Sequence, residues 1–375
     1  MRMTGHRTNG RNLKRLLLIV VGTALGMFFL YLAFRDISWQ DFVTGLKQMK
    51  PIYLLPCTLL VLLAQLVRAL RFGVILRPIC RLPVKDLWDL LNIWAGASMV
   101  MPARLGELVR PYLLRRRGVS FSSGVGAMMV ERFFDLSGLL LLLGLVLWTT
   151  PQIPRIYSIL GQVLLVMLAV GYVLVLLVLA RRERVEGVVT RLLSRLPARA
   201  AAFLGGIFRR LLDGFGIMAN FKQVMILFAY SVILWVLFSV LTYLFLLAFS
   251  IEAPFLVAVT IQVFICLGVA LPSAPGFIGT FHAAGRYALT LFGVKAVVAV
   301  SFATVYHLFT FVLCLVLGLV SYLTSEFRFD QAMFANQLDE ASVEGRSGRT
   351  DGLEETSASP VLCKKESLQG AAAPD

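Results

Sequence analysis

The stretch Asn92–Asp135 reads NIWAGASMVMPARLGELVRPYLLRRRGVSFSSGVGAMMVERFFD, and it decides the fold of this chain. Polar and charged residues interrupt sequence that is otherwise apolar enough for lipid. A charge at the bilayer centre costs at least about 2.5–3.5 kcal/mol on insertion scales, so such side chains face protein or water. We therefore interpret this stretch as one wall of a polar cavity inside a membrane protein. Its polar residues are Asn92, Arg104, Glu107, Arg110, Glu131, Arg132 and Asp135.

The composition of the whole chain also favours a membrane location. Of the 375 residues, 58% are hydrophobic and 15% are charged, and the mean hydropathy is +0.82. Several apolar runs reach the roughly 20 residues that a helix needs to cross a bilayer. The predicted fold class is an all-α polytopic membrane protein with about six full spans. These spans are Leu16–Phe34, Ile52–Leu76, Val119–Trp148, Ile156–Ala180, Val224–Phe249 and Ala296–Thr324.

Two shorter apolar stretches end in breaks, which predicts re-entrant helical hairpins in place of spans. The first hairpin covers about residues 88–117 and breaks at Pro102, which has no N–H to donate to a helix. The second covers about residues 255–292 and breaks within LPSAPGFIG. Each half of the chain, residues 16–148 and 156–324, would then hold span, span, hairpin and span.

The two halves align with each other. A shift of 170 residues pairs Asn92 with Gln262, and a shift of 175 pairs Glu131-Arg132 with Tyr306-His307. Together with the opposite directions of the halves, this predicts an inverted repeat of the kind that many transporters contain. The alternative is a chance alignment of apolar sequence.

The formal net charge of +15 would suit nucleic acid, but the positions of the charges favour a membrane. With the N-terminus in the cytoplasm, most Lys and Arg fall between spans on the inner side, as the positive-inside rule expects. We expect anionic inner-leaflet lipid as their partner, and no nucleic acid. Residues 1–15 form a basic cytoplasmic N-terminus, 181–223 an amphipathic cytoplasmic loop, and 326–375 a disordered cytoplasmic tail.

The first break, PARLGELVR, has the residue types of a phosphate site. Backbone amides freed at a break need protein or water partners inside a membrane. With Arg104 and Arg110 they would suit a phosphate, and Glu107 would neutralise one guanidinium. The alternative is an ordinary cytoplasmic basic loop.

The motif ERFFD adds charge within a long apolar helix. Glu131 and Asp135 are four residues apart and share one helix face. With Arg132 they form either an ion network that holds the bundle together or part of a substrate site, where a buried carboxylate can also take up a proton. Arg68 and Arg71, near the inner end of the second span, are expected to snorkel to the interface; a phosphate contact is the alternative.

The second break is rich in small residues and is followed by a histidine. A lone histidine is more often a core residue than a ligand, and here both interpretations stay open. For the histidine inside the last span, beside a tyrosine, the structural role is favoured. The candidate substrate-binding residues in this half are Ser273, Gly276, Gly279, His282, Tyr306 and His307.

Together, Asn92, PARLGELVR, the Gly118-Val119-Ser120 turn, ERFFD and PSAPGFIGTFHAAG resemble the lysylphosphatidylglycerol synthase transmembrane-region family, over nearly all of Leu16–Thr324. The resemblance implies a flippase-like protein of the bacterial cytoplasmic (inner) membrane, with both termini cytoplasmic, that moves a lipid or lipid-linked phosphate. The soluble synthase domain is not recognised, so aminoacyl transfer is not expected. Many members carry a carboxylate near the position of His282, so lysyl-phosphatidylglycerol is not the expected headgroup; polyprenyl-linked sugars, hopanoids and other lipids are the candidates.

We expect a headgroup to bind between the two hairpins. The alternative is a non-transporting scaffold that holds a glycosyltransferase or lipid-modifying enzyme at the inner face. A membrane-embedded enzyme is a third interpretation, but no nucleophile–base constellation, zinc spacing or P-loop is visible, so no catalysis, metal or cofactor is expected. The expected roles are phosphate binding for Arg104, Arg110 and Arg132, and charge balance or proton transfer for Glu131, Asp135 and His282.

Overall fold

The computed structural model describes residues 22–149, 155–195, 221–271 and 274–327, with a few residues between 201 and 208. This part of the chain contains helices and turns and no strand, as the predicted all-α class requires. The predicted basic N-terminus, most of the predicted loop after residue 195 and the tail after residue 327 lie outside it. The helices are α1 (Gly22–Phe34), α2 (Trp39–Lys47), α3 (Leu54–Leu76), α4 (Val84–Val100), α5 (Val109–Arg115), α6 (Phe121–Thr149), α7 (Arg155–Ala180), α8 (Arg182–Leu193), α9 (Phe221–Ala248), α10 (Phe255–Ala270), α11 (Thr280–Leu291) and α12 (Ala296–Thr324).

Three of the described helices have the length and apolar composition of a membrane span. They cover Pro51–Leu76, Lys222–Ala248 and Ala296–Thr324, which confirms three of the six predicted spans to within a few residues. The other three predictions fall on α1, α6 and α7. Helix α6 contains Glu131, Arg132 and Asp135 within its otherwise apolar sequence.

At each of the two predicted hairpins the structure has a pair of helices joined by a break, and this pair is called a hairpin below. After α4, Met101 is extended, with ψ 128°, because the residue before a proline avoids helical geometry; a 3₁₀ turn over Pro102–Leu108 then leads into α5. After α10, Leu271 is extended in the same way, with ψ 149°, and the 3₁₀ turn Pro275–Phe277 precedes α11. Helix α4, the first arm of the first hairpin, begins at Val84, after the extended Pro83.

The first hairpin opens at the end of the bundle where α12 ends. At the start of α4, the Lys85 ammonium donates to the carbonyl oxygen of Thr324 at 3.4 Å. Arg117, just beyond α5, pairs with Asp86 at 2.9 Å, and its guanidinium lies over the ring of Phe327. Phe327, beside the predicted start of the tail at residue 326, is buried.

The second hairpin opens at the opposite end. Arg286 on α11 donates to the carbonyl oxygen of Ala33, near the end of α1, at 2.8 Å. The same end holds the start of α12, where the Ser301 hydroxyl donates to the carbonyl oxygen of Phe42 on α2 at 3.4 Å. Since α12 runs from this end to the other, the two hairpins enter the bundle from opposite ends.

The two breaks meet inside the bundle. A Cβ on Gly276 would lie 3.2 Å from the carbonyl oxygen of Met99, in the last turn of α4. Helix α1 crosses the second break, where a Cβ on Gly279 would overlap the carbonyl oxygen of Gly26. Both Gly276 and Gly279 have positive φ, +68° and +93°, which other residues adopt only at a cost. Glycine is therefore required here by backbone shape and by close approach together.

The first test concerns this crossing. Gly279→Ala should lower the free energy of unfolding by about 2–5 kcal/mol, because a left-handed backbone costs about 1–2 kcal/mol with a Cβ and overpacking adds about 1–3. The matched control is Gly293→Ala, since Gly293 also has positive φ, +78°, but has no atom within 4 Å of an added Cβ. The control should lose only about 1–2 kcal/mol. Thermal unfolding of the purified proteins measures both, and equal losses would contradict the described crossing.

Candidate functional site

Three charged side chains are buried between α3, α5 and α6. The Arg71 guanidinium donates to Glu131 Oε1 at 2.9 Å, and it also pairs with Asp135 Oδ1 at 2.7 Å and donates to the Ser231 hydroxyl at 3.0 Å. Arg110 donates to the other Glu131 oxygen, Oε2. The side chains of Arg71, Arg110 and Glu131 are at most 2% exposed. Glu131 therefore joins two buried guanidiniums, one from each neighbouring helix.

A second group of charges forms the accessible edge of the same cluster. Arg132 Nη2 lies 2.8 and 2.9 Å from the two carboxylate oxygens of Glu107, and Arg132 Nη1 lies 3.4 Å from Asp135 Oδ2. The Arg132 side chain is 41% exposed, and those of Glu107 and Asp135 are each 30% exposed. The cluster thus passes from a dry interior to an edge that solvent or a ligand can reach.

The indole of Trp94 lies among three guanidiniums. The Arg110 Cζ atom is 3.7 Å from the ring centroid, and those of Arg68 and Arg132 are 5.7 and 5.8 Å from it. A guanidinium over an aromatic face gains about 0.5–2 kcal/mol, more where water is excluded. Trp94 therefore lets three like charges approach one another without a carboxylate for each.

Arg68 is the arginine of this cluster that has no carboxylate partner among the described residues. Among the described residues, no carboxylate lies within ion-pair distance of it. Its guanidinium donates instead to the amide oxygen of Gln65 at 2.9 Å, and the Gln65 amide donates to Asn92 Oδ1 at 2.9 Å. Four guanidiniums (Arg68 with Arg71, Arg110 and Arg132) and three carboxylates leave the cluster with one net positive charge.

Several buried polar atoms of the cluster have no hydrogen-bond partner among the described residues. An unsatisfied buried donor costs roughly 1–3 kcal/mol, so such atoms indicate a ligand or water. All of the nitrogens are donors, so oxygen atoms of an anion could accept from them. The atoms are Arg71 Nε, Arg110 Nε, Arg110 Nη2, Asn92 Nδ2 and Trp94 Nε1, together with the hydroxyl of Ser98, which can donate or accept.

The structure brings six of the predicted site residues into this cluster: Asn92, Glu107, Arg110, Glu131, Arg132 and Asp135. The Arg104 side chain lies outside the described part of the chain, although its backbone belongs to the turn after α4. Arg71 does not snorkel, and that expectation is wrong, because Glu131 and Asp135 hold its side chain in the interior.

Sequence reasoning missed Gln65 and Trp94 and underrated Arg68. A usable signal existed, because Gln65, Arg68 and Arg71 recur at intervals of three within an apolar helix and so share a face. Polar and ionisable side chains on one face of a span are functional candidates by default. Trp94 gave no such signal, since an aromatic residue in an apolar helix looks like core.

Four further predicted residues, Gly276, Gly279, His282 and His307, lie away from the ion cluster, at the second break. His307 Nε2 is 2.7 Å from the carbonyl oxygen of Gly276, and the backbone N–H of Gly279 donates to His282 Nδ1 at 3.4 Å. The two imidazole centroids are 4.9 Å apart. Ser273 lies outside the described residues. The candidate residues therefore form two separate groups, one at each break.

Tyr306 belongs to neither group. Its hydroxyl is 3.2 Å from the Thr242 hydroxyl, which donates to Gln262 Oε1 at 2.9 Å. Its ring stacks on Phe245 with centroids 4.5 Å apart. This buried, neutral network joins α9, α10 and α12, which is a structural role.

The second test concerns the centre of the cluster. Glu131→Gln should lower the free energy of unfolding by about 3–5 kcal/mol, because it leaves Arg71 and Arg110 without their shared counter-charge. The control is Glu326→Gln, whose carboxylate is 65% exposed and whose partner Arg117 keeps Asp86. An exposed pair contributes about 0–1 kcal/mol, so the control should unfold like the unaltered protein. Similar stability of both variants in denaturant titration would contradict this role of Glu131.

Known proteins resemble this chain over the stretches of sequence that contain these features. The family model described as lysylphosphatidylglycerol synthase TM region matches residues 19–318, a range that holds the ion cluster and both breaks. A UPF0104 membrane protein from Methanothermobacter thermautotrophicus is 28% identical over 268 residues, covering 68% of this chain and 78% of that protein. The glycosyltransferase AglD from Haloferax volcanii is 30% identical over 131 residues, covering 34% of this chain and only 21% of that protein.

Proposed function

Because this chain belongs to the lysylphosphatidylglycerol synthase transmembrane-region family, we propose that it is a flippase-like multi-pass membrane protein that moves a lipid or lipid-linked phosphate headgroup across the cytoplasmic membrane. The single observation that carries the proposal is the set of buried, unpartnered N–H donors beside Arg68 and Trp94. The match lies over a membrane region, and no aminoacyl transfer is proposed for this chain.

A phosphate suits the cluster for electrostatic reasons. Arg68 has a guanidinium with no carboxylate partner among the described residues, so an anion there displaces no existing ion pair. Arg132 is accessible and could exchange Glu107 for a phosphate without exposing the buried base of the cluster. Guanidiniums bind phosphate oxygens through charge-assisted hydrogen bonds, often in pairs. The buried Glu131 would then hold Arg110 in place while the headgroup binds at the edge.

The arrangement of the two breaks suits the passage of a headgroup from one side of the membrane to the other. We propose that the two halves form an inverted repeat, with the first hairpin opening to the cytoplasm and the second to the outside. The basic segments around Arg77, Arg81 and Arg115–Arg117 lie at the end that the positive-inside rule assigns to the cytoplasm. The contact between Met99 and Gly276 would then be the barrier that a headgroup must pass. In many inverted-repeat transporters the substrate site lies near the bilayer midplane, between the two repeats.

The third test concerns this topology. Cysteines introduced as Gln40→Cys and Thr290→Cys should react with a membrane-impermeant maleimide in intact cells, because both positions are exposed at the proposed outer end. Lys85→Cys marks the mouth of the first hairpin and should react only after permeabilisation. The unaltered protein, labelled in parallel, gives the background from its native cysteines. Labelling of Lys85→Cys and Thr290→Cys from the same side would contradict the opposite orientation of the hairpins.

The fourth test concerns transport. Proteoliposomes that contain labelled phosphatidylglycerol or a labelled polyprenyl phosphate should exchange the label between leaflets faster than protein-free liposomes. Arg68→Gln should slow the exchange about tenfold or more, because a hydrogen bond to a charged group is worth about 1.5–3 kcal/mol. The control is Arg35→Gln, whose guanidinium is mostly exposed and outside the cluster. Equal exchange with and without protein across a panel of lipids would contradict transport.

The second candidate function is a non-transporting scaffold for a glycosyltransferase or a lipid-modifying enzyme. The similarity to a protein named as a glycosyltransferase, over 131 residues, favours it. Helix α8 has both apolar and basic side chains and exposed positions such as Val188 and Leu192, which suits a surface helix for a partner or the inner leaflet. Absence of protein-dependent exchange, with retained binding of such an enzyme, is the outcome that separates this function from transport.

A further inference from the structure

A cavity of about 640 Å³ lies beside the second break, apart from the ion cluster. Its walls come from α1, α2, α11 and α12 and are largely apolar and aromatic, with Phe34, Trp39 and Phe311 among them. This volume is within the range of roughly 300–1,000 Å³ that small-molecule sites usually have. Two polar side chains of the lining, His282 and His307, are more than nine-tenths buried. The hydroxyl of Thr304 donates to the carbonyl oxygen of Val300, and Tyr31 is mostly exposed.

The hydrogen bonds of the two histidines determine which nitrogen carries the proton. Since the Gly276 carbonyl oxygen can only accept, His307 must donate to it through Nε2–H. Since the Gly279 N–H donates to His282 Nδ1, that nitrogen has no proton and the ring of His282 is neutral, with its proton on Nε2. Phe281 and Phe311 also lie against the His307 ring, at centroid distances of 4.8 and 6.0 Å, and these apolar surroundings favour a neutral ring there too.

One donor and one acceptor remain without a partner among the described residues. They are the Nε2–H of His282 and the Nδ1 of a neutral His307, on rings whose centroids are 4.9 Å apart. A hydroxyl group is the common lipid group that can accept one hydrogen bond and donate another from a single oxygen. A phosphate or carboxylate could accept from His282 but would place negative charge against the lone pair of His307.

No cation of the second hairpin is available to neutralise an anion in this cavity. Arg286, one turn beyond His282, donates to the carbonyl oxygens of Leu32 and Ala33 and pairs with Asp36 at 3.1 Å. The hydrogen bond from Arg286 also lowers the pKa of the Asp36 carboxyl. Burial of an ionised headgroup without a counter-charge costs far more than burial of a hydroxyl.

Part of the cavity lining is exposed on the outer faces of α1 and α12. Met27 and Tyr31 on α1 and Leu308 on α12 line the cavity and are more than half exposed. Helix α12 has the length and composition of a membrane span, so this face lies where hydrocarbon would surround it. A ligand that enters here comes from the lipid phase.

We propose that this cavity is a second binding site, which takes an uncharged, largely apolar lipid alcohol with its hydroxyl between His282 and His307. The site differs from the ion cluster in chemistry and in position, since it binds a neutral hydroxyl at the second break and the cluster binds an anion at the first. It does not depend on transport by the cluster.

The test uses diazirine-bearing analogues of farnesol, farnesyl methyl ether and farnesyl phosphate with the purified full chain in nanodiscs. Farnesol should bind about tenfold more tightly than the ether, because the ether cannot donate to His307 and leaves a buried acceptor unsatisfied. The crosslinks of the farnesol analogue should map to α1, α2, α11 and α12. Equal affinity for alcohol and ether, tighter binding of the phosphate in this cavity, or alcohol crosslinks confined to α3–α6 would each overturn the proposal.

Variants separate the two sites. His307→Phe keeps a planar ring but removes the acceptor Nδ1, so it should reduce the preference for alcohol over ether to less than about threefold. His282→Phe removes a donor that serves the oxygen of either ligand, so it should weaken the binding of alcohol and ether alike, by about tenfold, and leave the preference in place. His307→Phe also removes a hydrogen bond to Gly276. If His307→Phe fails to fold, the farnesol affinity of His282→Phe decides, and unchanged affinity in that variant would overturn the proposal. Thr290→Val, on the same helix with a hydroxyl that donates only to its own helix, should leave the preference unchanged. Arg68→Gln should weaken farnesyl phosphate binding at the cluster and leave farnesol binding unchanged; loss of both would overturn the separation.

Discussion

The carboxylate of Glu131 is the interaction on which the rest of the structure depends. It receives hydrogen bonds from Arg71 of α3 and Arg110 of α5, and all three side chains are almost fully buried. Two guanidiniums brought into an apolar interior would repel each other and lose their hydration, and only a shared counter-charge makes their burial tolerable. Because the three side chains come from three helices, this pairing also sets where the first hairpin lies against α3 and α6.

The side chains around the first break are mostly charged, whereas those around the second break are neutral. The first break is surrounded by guanidiniums that stack on Trp94, with carboxylates at the accessible edge. The second break is surrounded by neutral rings, and its histidines bond to the backbone of Gly276 and Gly279. The two breaks are in contact at Met99 and Gly276.

Much of this could be predicted from the sequence, and the misses have a common physical cause. Hydrophobic length and prolines predict helices and breaks because both effects are local, and six of the polar residues come together because charge in apolar sequence must find partners. Arg71 was assigned to the interface from its place in one helix, whereas its burial is set by Glu131, 60 residues away. Trp94 and the cavity depend on side chains from several helices, and no single stretch of sequence contains that information.

Positions that pair in the sequence alignment of the two halves carry different charges. The amides of Asn92 and Gln262 correspond, and each bonds to the span before it, to Gln65 of α3 and to Thr242 of α9. At the next paired position, however, Glu131 is replaced by Tyr306, and the position of Arg132 by His307. An anionic headgroup that passes from the first break to the second would therefore leave a region of net positive charge and enter a neutral one. Under the proposed inverted repeat, the two halves would share the bond from an amide to the preceding span and differ in the charges beside it.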